Sequence, residues 1–233
     1  MLIFRSLFPT HLSSAYSFII SLLKKNKLLE NINLNNNFYQ TIEKESIAEF
    51  KDRGSRFLAY AFPVSSTEDF KKRLKELKEE HSKAVHHCFA YRIGADGNVF
   101  RSSDDGEPSG SAGKPILGQI DSKELINVAI VVVRYFGGTL LGVPGLINAY
   151  KTSASFALQL NPIIKKPVLI NYRLQFDYTI LNEVMRVIKK NDCVILRQEL
   201  QLFCMLEASI PKSQLELCIL QLKNLKSMEL SAI

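Results

Sequence analysis

The sequence has no closely spaced cysteine pair. Its four cysteines are scattered over the chain, and none belongs to a CxxC motif. A zinc site or a redox motif therefore has no local support, and we expect no cofactor. Three of the four lie in apolar runs, which is typical of small buried side chains. Such thiols fit a reducing compartment, so we expect a cytoplasmic protein.

The sequence also has little that points to a membrane. The apolar run at residues 12–23 is shorter than the roughly 20 residues of a membrane-spanning helix. An asparagine-rich stretch, residues 31–37, follows it and resembles a linker. We expect residues 1–37 to be a loosely ordered extension or translated sequence upstream of the true start, with a peripheral amphipathic anchor as the alternative. We expect no membrane partner.

The excess of positive charge lies mainly in the two end segments of the chain. Residues 1–37 and 162–233 each carry a net charge of +3, whereas residues 38–161 carry +1, from 16 basic and 15 acidic residues. A nucleic-acid surface must therefore come from local clustering. The clearest cluster, called the basic patch here, comprises Lys165, Lys166, Arg186, Lys189 and Lys190. Lysines near the end of a helix also suit its dipole, so a plain structural role stays open.

The hydrophobic pattern predicts an α+β protein with two domains, residues 38–161 and 167–233. The second domain follows the order βαββαβ, which is typical of a ferredoxin-like fold. The boundary is placed at residues 161–167, where two prolines and two lysines interrupt the pattern. In the first domain, the apolar run 127–136 predicts a central strand, and a helix is expected at about residues 146–160.

Two glycine-rich loops precede predicted helices, and such loops can expose backbone N–H groups to an anion. In the first loop, residues 102–115, the expected contacts to an anion or an RNA backbone are Gly106, Ser109, Gly110, Ser111, Gly113 and Lys114. In the second loop, residues 137–145, they are Gly137, Gly138 and Gly142, with Arg134 just before. The alternative for both loops is a tight turn that needs glycine for its geometry alone.

Three carboxylates in the first loop, Asp104, Asp105 and Glu107, would repel a bare phosphate. They could cap the following helix, pair with Arg101 or Arg134, or hold Mg²⁺, so Asp104 and Asp105 are weak metal candidates. Metal binding is not predicted.

His86, His87 and Cys88 are consecutive, and on a strand His86 and Cys88 share one face while His87 takes the other. A buried His86 bonded to a loop carboxylate is one interpretation, and a ligand contact is the other. The candidates for a catalytic role are His86, Asp104 and Glu107, and none is assigned one.

Two segments carry a family resemblance. The first, residues 86–113, contains His86-x-Cys88-x-Ala90-Tyr91, Ser103-Asp104-Asp105-Gly106-Glu107-Pro108 and Gly110-x-Ala112-Gly113. The second, residues 131–150, contains Arg134-Tyr135-Phe136-Gly137-Gly138-x-x-Leu141-Gly142, then Gly145-Leu146 and Ala149-Tyr150. Together they closely resemble the IMPACT/YigZ family in its bacterial two-domain layout, over about residues 38–233. Leu140 stands where the family often has lysine, and Pro144 where glycine is common.

The resemblance implies an N-terminal left-handed βαβ domain like elongation factor G domain IV and a ferredoxin-like C-terminal domain. It also implies a link to translational control, in which eukaryotic relatives act through an additional domain that the two matched domains do not include. The leading hypothesis is a binding protein that contacts RNA or the ribosome, without DNA sequence specificity. The alternatives are an enzyme acting on a phosphorylated small molecule and a protein-interaction adaptor. Catalysis is the less favoured of these interpretations.

Overall fold

The computed structural model describes residues 37–233, which form a mixed α+β structure divided into two compact units. One unit comprises residues 39–166, and the other comprises the described residues 37–38 and 167–233. The predicted extension, residues 1–37, lies outside the described residues except for Asn37.

The first unit contains seven strands and three helices among the described residues. In chain order they are β1 (Phe38–Ile42), β2 (Ser46–Asp52), β3 (Ser55–Pro63), α1 (Thr67–Glu80), β4 (His86–Ile93), β5 (Val99–Ser103), α2 (Gly113–Asp121), β6 (Val128–Tyr135) and α3 (Gly142–Gln159), and a seventh strand, β7 (Ile163–Pro167), pairs with β1. The other strands form an antiparallel sheet in the order β2-β3-β6-β4-β5. The apolar strand β6 is central, as its composition predicts.

Alternate residues of this sheet enter two separate cores. Cys88 and Ala90 of β4 pack on one face against α2 and α3, whereas Phe89 and Tyr91 pack on the other face against α1. Successive strand side chains point to opposite faces, so the predicted division of His86 and Cys88 from His87 follows from this geometry.

Local signals determine how two of the helices begin. The Ser66 side chain accepts a hydrogen bond from the Asp69 N–H, which caps α1. Helix α3 begins at Gly142, four residues before the predicted start at Leu146. Pro144 therefore lies in the first turn, where a missing N–H leaves no intrahelical bond unmade.

The second unit contains four strands, two α-helices and two short 3₁₀ turns among its described residues. They are β8 (Leu169–Asp177), a turn at Tyr178–Ile180, α4 (Leu181–Lys190), β9 (Val194–Glu199), β10 (Phe203–Pro211), a turn at Lys212–Gln214, α5 (Leu215–Lys223) and β11 (Glu229–Ala232). The strands form an antiparallel sheet in the order β11-β8-β10-β9. Both helices pack on one face, where side chains such as Leu174, Leu206 and Leu222 are fully buried.

Strands β1, β2 and β7 were not predicted. Strand β7 coincides with the expected boundary segment, and Lys165 and Lys166 within it are exposed. Within residues 37–233 we find no helix with the length and apolar character needed to cross a membrane.

Candidate ligand-binding site at the glycine-rich loops

The Asp104 carboxylate occupies the backbone donors of the first glycine-rich loop. It accepts the N–H groups of Gly110 at 2.8 Å, Ala112 at 3.0 Å and Gly113 at 2.8 Å. Burial raises the pKa of Asp104, but these three N–H groups outweigh burial and leave the pKa lowered. The amides predicted to receive an external anion are therefore already bonded, and an anion there would have to displace Asp104.

The other predicted contact residues of the first loop differ in burial and in the groups they touch. Ser111 is buried, and its hydroxyl donates to the Pro108 carbonyl at 2.6 Å. Ser109 and Lys114 are exposed. Gly106 lies against the ring of His86, because a Cβ at Gly106 would sit 3.3 Å from His86 Nδ1.

Asp105 is held by contacts other than those of Asp104. Its Oδ2 accepts the backbone N–H of His87 at 2.7 Å, and its Oδ1 lies 3.5 Å from Lys78 Nζ. The two carboxylates, considered as weak metal candidates, thus serve different partners. No group of three or more potential metal-binding side chains comes together among residues 37–233.

A buried network joins the two loops to the core. Glu107 Oε1 accepts from Arg134 Nη1 at 2.6 Å and from the Tyr150 hydroxyl at 2.7 Å. The Cys88 thiol donates to the Asp104 carbonyl at 2.9 Å and lies 3.3 Å from the Tyr150 hydroxyl. Burial raises the pKa of Cys88 to about 12, so the thiol is un-ionised at neutral pH.

The Arg134 guanidinium is stacked on aromatic rings and only partly hydrogen-bonded. Its Cζ lies 5.5 Å from the centre of the Phe57 ring and 5.6 Å from that of Phe136. Only one of its N–H groups has an acceptor among the described residues, and its buried Nε has none. Arg134 thus retains unused donors.

His86 is held by its Nδ1, which donates to the Asp105 carbonyl at 2.8 Å. Because a carbonyl can only accept, Nδ1 carries the proton and Nε2 of the neutral ring is an acceptor. Nε2 has no hydrogen-bond partner within residues 37–233, but it is not one of the fully buried polar atoms there that lack a partner. His87 is buried on the other face, and desolvation lowers its pKa.

The second glycine-rich loop starts with a close backbone contact. A Cβ at Gly137 would lie 1.9 Å from the Gly54 carbonyl carbon, so only glycine fits there. The Gly137 N–H donates to the Ser55 hydroxyl at 3.1 Å, which removes it as a free donor. Gly138 and Gly142 are exposed.

A cavity of about 520 Å³ lies where these features meet. Its lining is Val85, His86, Glu107, Pro108, Arg134, Phe136, Leu140, Leu141, Gly142, Val143 and Leu146. The wall is mainly apolar, and Leu140 at its edge is 81% exposed. The polar part is the ion pair of Glu107 and Arg134, whose side chains are only 4% and 6% exposed, together with His86.

The cavity gathers some of the predicted site residues and leaves others out. His86, Glu107, Arg134 and Gly142 line it, whereas Asp104 and Lys114 do not. The apolar wall was not predicted from the sequence. The signal available in the sequence is the apolar pair Leu140 and Val143 within the predicted second loop, residues 137–145, because neighbouring exposed apolar side chains can form a patch that marks a binding site.

The members of the basic patch belong to different units. Lys165 and Lys166 are exposed residues of β7 in the first unit, and Arg186, Lys189 and Lys190 are exposed residues of α4 in the second. None of these five cations has a carboxylate within 4.0 Å among the described residues.

Comparison with known proteins identifies the family. The Impact N-terminal domain family matches residues 53–158. The IMPACT family member YigZ of Escherichia coli is 35% identical over 162 residues, which cover 69% of this chain and 79% of YigZ. This chain belongs to the IMPACT family. YvyE, an IMPACT family member of Bacillus subtilis, is 32% identical over 157 residues, covering 67% of this chain and 72% of YvyE.

A solved structure extends the likeness over most of the chain. The crystal structure of a hypothetical protein superimposes with a TM-score of 0.69 at 31% identity, covering 84% of this chain and 98% of that one. All the residues that line the cavity, from Val85 to Leu146, lie within residues 53–158, which match the Impact N-terminal domain family. The resemblance stated from the two sequence segments is confirmed.

Proposed function

We propose that this protein is a translation-linked regulatory or binding protein that contacts RNA or the ribosome through the basic face of α4. The observation that carries the proposal is the exposed trio Arg186, Lys189 and Lys190, which has no neighbouring carboxylate within 4.0 Å in the described chain. Cations without internal partners are available to neutralise backbone phosphates.

The proposal assigns the contact to α4 rather than to the first glycine-rich loop. The N–H groups of Gly110, Ala112 and Gly113 serve Asp104, and Arg134 serves Glu107. Two cations of α1 differ from those of α4 in having a carboxylate nearby. Lys71 and Lys75 each lie 3.9 Å from a glutamate on the same helix.

The fold analogy with elongation factor G supports the link to translation. In the second unit, the order βαββαβ and the sheet order β11-β8-β10-β9 fit a ferredoxin-like domain. In the first unit, β3 and β4 both run antiparallel to β6, so they are parallel to each other and joined by α1. We infer that this βαβ unit has the left-handed connection implied by the family resemblance. Fold analogy alone does not establish function, so a binding experiment is needed.

The test is co-sedimentation with ribosomes over a series of salt concentrations. We expect binding that weakens steeply as salt rises, because phosphate neutralisation releases counterions. Changing Arg186, Lys189 and Lys190 to glutamine should lower the slope of log K against log salt by up to about three. The matched control changes Lys71, Lys72 and Lys75 of α1 to glutamine, which removes the same charge.

Two results would contradict the proposal. One is the absence of binding to ribosomes and to ribosomal RNA at low salt. The other is an equal loss of binding in the α4 and α1 variants, which would show that only the net charge matters. Co-purification with proteins but not RNA would instead favour an adaptor.

A further inference from the structure

The cavity of the first unit combines an apolar wall with a partly used ion pair. Both hydrogen bonds to Glu107 end on Oε1, and Oε2 has no partner within residues 37–233. Glu107 Oε2 is not one of the described polar atoms that are fully buried without a hydrogen-bond partner. The Arg134 side chain is only 6% exposed, and its guanidinium keeps most of its donors unused among the described residues.

We propose that this cavity binds a small organic molecule without net charge that joins an apolar group to a carboxamide-like group. The volume of about 520 Å³ is in the range of small-molecule sites, which are mainly apolar with a few orienting polar groups. This inference concerns a different surface from the basic face of α4 and does not depend on RNA binding.

The apolar part of the ligand follows from the wall. Phe136, Leu140 and Val143 are 54%, 81% and 46% exposed, although each lines the cavity. A ligand that covers these side chains removes apolar surface from water, which is favourable in proportion to the area.

The absence of net charge on the ligand follows from the ion pair. Glu107 and Arg134 neutralise each other, so a carboxylate ligand would approach Glu107 and an ammonium ligand would approach Arg134. Either charge would lose hydration without gaining an unshared counterion, which disfavours binding.

The carboxamide group follows from the hydrogen-bonding groups that remain. Glu107 Oε2 can only accept when ionised, and Arg134 can only donate. The amino end of α3, at Gly142 and Val143, also lines the cavity and has no side-chain cap. A carboxamide offers a donor for Glu107 and an acceptor for Arg134 or the helix end, and His86 Nε2 is a further acceptor for its N–H groups.

The test uses the full chain and three probes of similar shape: phenylacetamide, phenylacetate and phenethylamine. Binding is followed by two-dimensional amide NMR. We expect phenylacetamide to shift the resonances of cavity residues with a millimolar dissociation constant, as is usual for so small a ligand. We expect both charged probes to bind at least about tenfold more weakly.

Variants at the wall place the binding in the cavity. Leu140→Asp adds a carboxylate at an exposed position and should weaken phenylacetamide binding severalfold while improving phenethylamine binding. Val143→Asp is a second variant with the same expectation, should the first alter the loop. The matched control is Val99→Asp on β5, an exposed valine outside the cavity, which should leave all three affinities unchanged.

Three results would overturn the proposal. The first is binding of phenylacetate or phenethylamine as tight as that of phenylacetamide. The second is the absence of shifts at cavity residues at saturating phenylacetamide. The third is an equal effect of Leu140→Asp, Val143→Asp and Val99→Asp.

Discussion

Glu107 and Arg134 form a buried ion pair, with Arg134 Nη1 2.6 Å from Glu107 Oε1. The same oxygen accepts the Tyr150 hydroxyl at 2.7 Å, so one carboxylate connects the first loop, β6 and α3. Removing a single partner from such a pair leaves a buried charge without compensation.

We expect Arg134→Met to reduce the free energy of unfolding by about 3–5 kcal/mol, because Glu107 then loses its counterion. The double variant Arg134→Met with Glu107→Gln should be more stable than Arg134→Met alone. Urea unfolding measures the free energy of unfolding of both variants.

The exposed pair of Arg92 and Asp121, at 2.8 Å, provides the control. Asp121→Asn should change the stability by less than about 1 kcal/mol. Equal stability of the single and double Arg134 variants would contradict the expectation.

Asp104 should stabilise the first loop as an internal partner for three N–H groups. We expect Asp104→Ala to lower the free energy of unfolding by about 1–3 kcal/mol, since these donors lose their acceptor. Asp104→Asn should lower it less, because one side-chain oxygen remains. Thermal unfolding of the wild type, Asp104→Asn and Asp104→Ala at neutral pH measures the order of their stabilities.

The pKa of Asp104 also predicts a pH dependence. Its folded-state pKa is lowered, so its contribution is complete above the unfolded pKa of about 3.9 and is lost as the pH falls through the folded pKa. The stability difference between wild type and Asp104→Asn should therefore shrink as the pH falls below about 4. A difference that stays constant down to the folded pKa and below would contradict this assignment.

Gly137 should tolerate no side chain. A Cβ there would lie 1.9 Å from the Gly54 carbonyl carbon and 2.2 Å from Ser55 N, so Gly137→Ala must displace backbone. We expect a loss of more than about 2 kcal/mol in urea unfolding. Gly118→Ala is the matched control, because a Cβ there would meet no atom within 4 Å apart from its chain neighbours and the nearby backbone of its own helix α2. That change should stabilise the protein by up to about 1 kcal/mol.

Cys193 and Cys218 are placed to form a disulfide in the second unit. Their sulfurs are 3.7 Å apart and share a hydrogen bond, which raises the pKa of Cys193 and lowers that of Cys218. A disulfide needs about 2.05 Å between sulfurs, so a small movement suffices. We expect diamide to form this bond, with a loss of two hydrogen masses and a gain of about 3 kcal/mol in stability.

The expected product of that oxidation excludes Cys88, whose burial raises its pKa to about 12 and keeps the thiol un-ionised. Cys218→Ser should abolish the mass change. A disulfide that contains Cys88, or no reaction at all in the wild type, would show that the two sulfurs are not available to each other.

The sequence predicted the elements with strong periodicity better than those with mixed composition. Strand β6 was found because its run is almost wholly apolar. Strand β2, SIAEFKD, alternates too few apolar residues with charges to be recognised. Strand β7 carries Lys165, Lys166 and Pro167, which suggest a boundary, so its pairing with β1 could be known only from tertiary structure.

The chemistry of the first loop was predicted as a set of alternatives. Helix capping by a carboxylate and pairing with Arg134 were both considered, and Asp104 and Glu107 now take these two roles separately. Sequence spacing could not assign them, because the choice depends on which carboxylate faces α2 and which faces β6. The apolar cavity could be predicted only in part. Leu140 and Val143 are apolar residues of the second loop, but their proximity to Val85, which is far away in the chain, depends on tertiary structure.

The contact between Gly137 and Gly54 has a consequence for how the cavity wall behaves. It fastens the start of the 137–141 segment to the hairpin turn between β2 and β3, while Leu141, at the far end of the segment, is buried. Only three residues, Gly138 to Leu140, separate these two fixed points. A ligand that packs against Leu140 therefore contacts a short segment that is held at both ends. This segment loses little conformational entropy when the ligand binds.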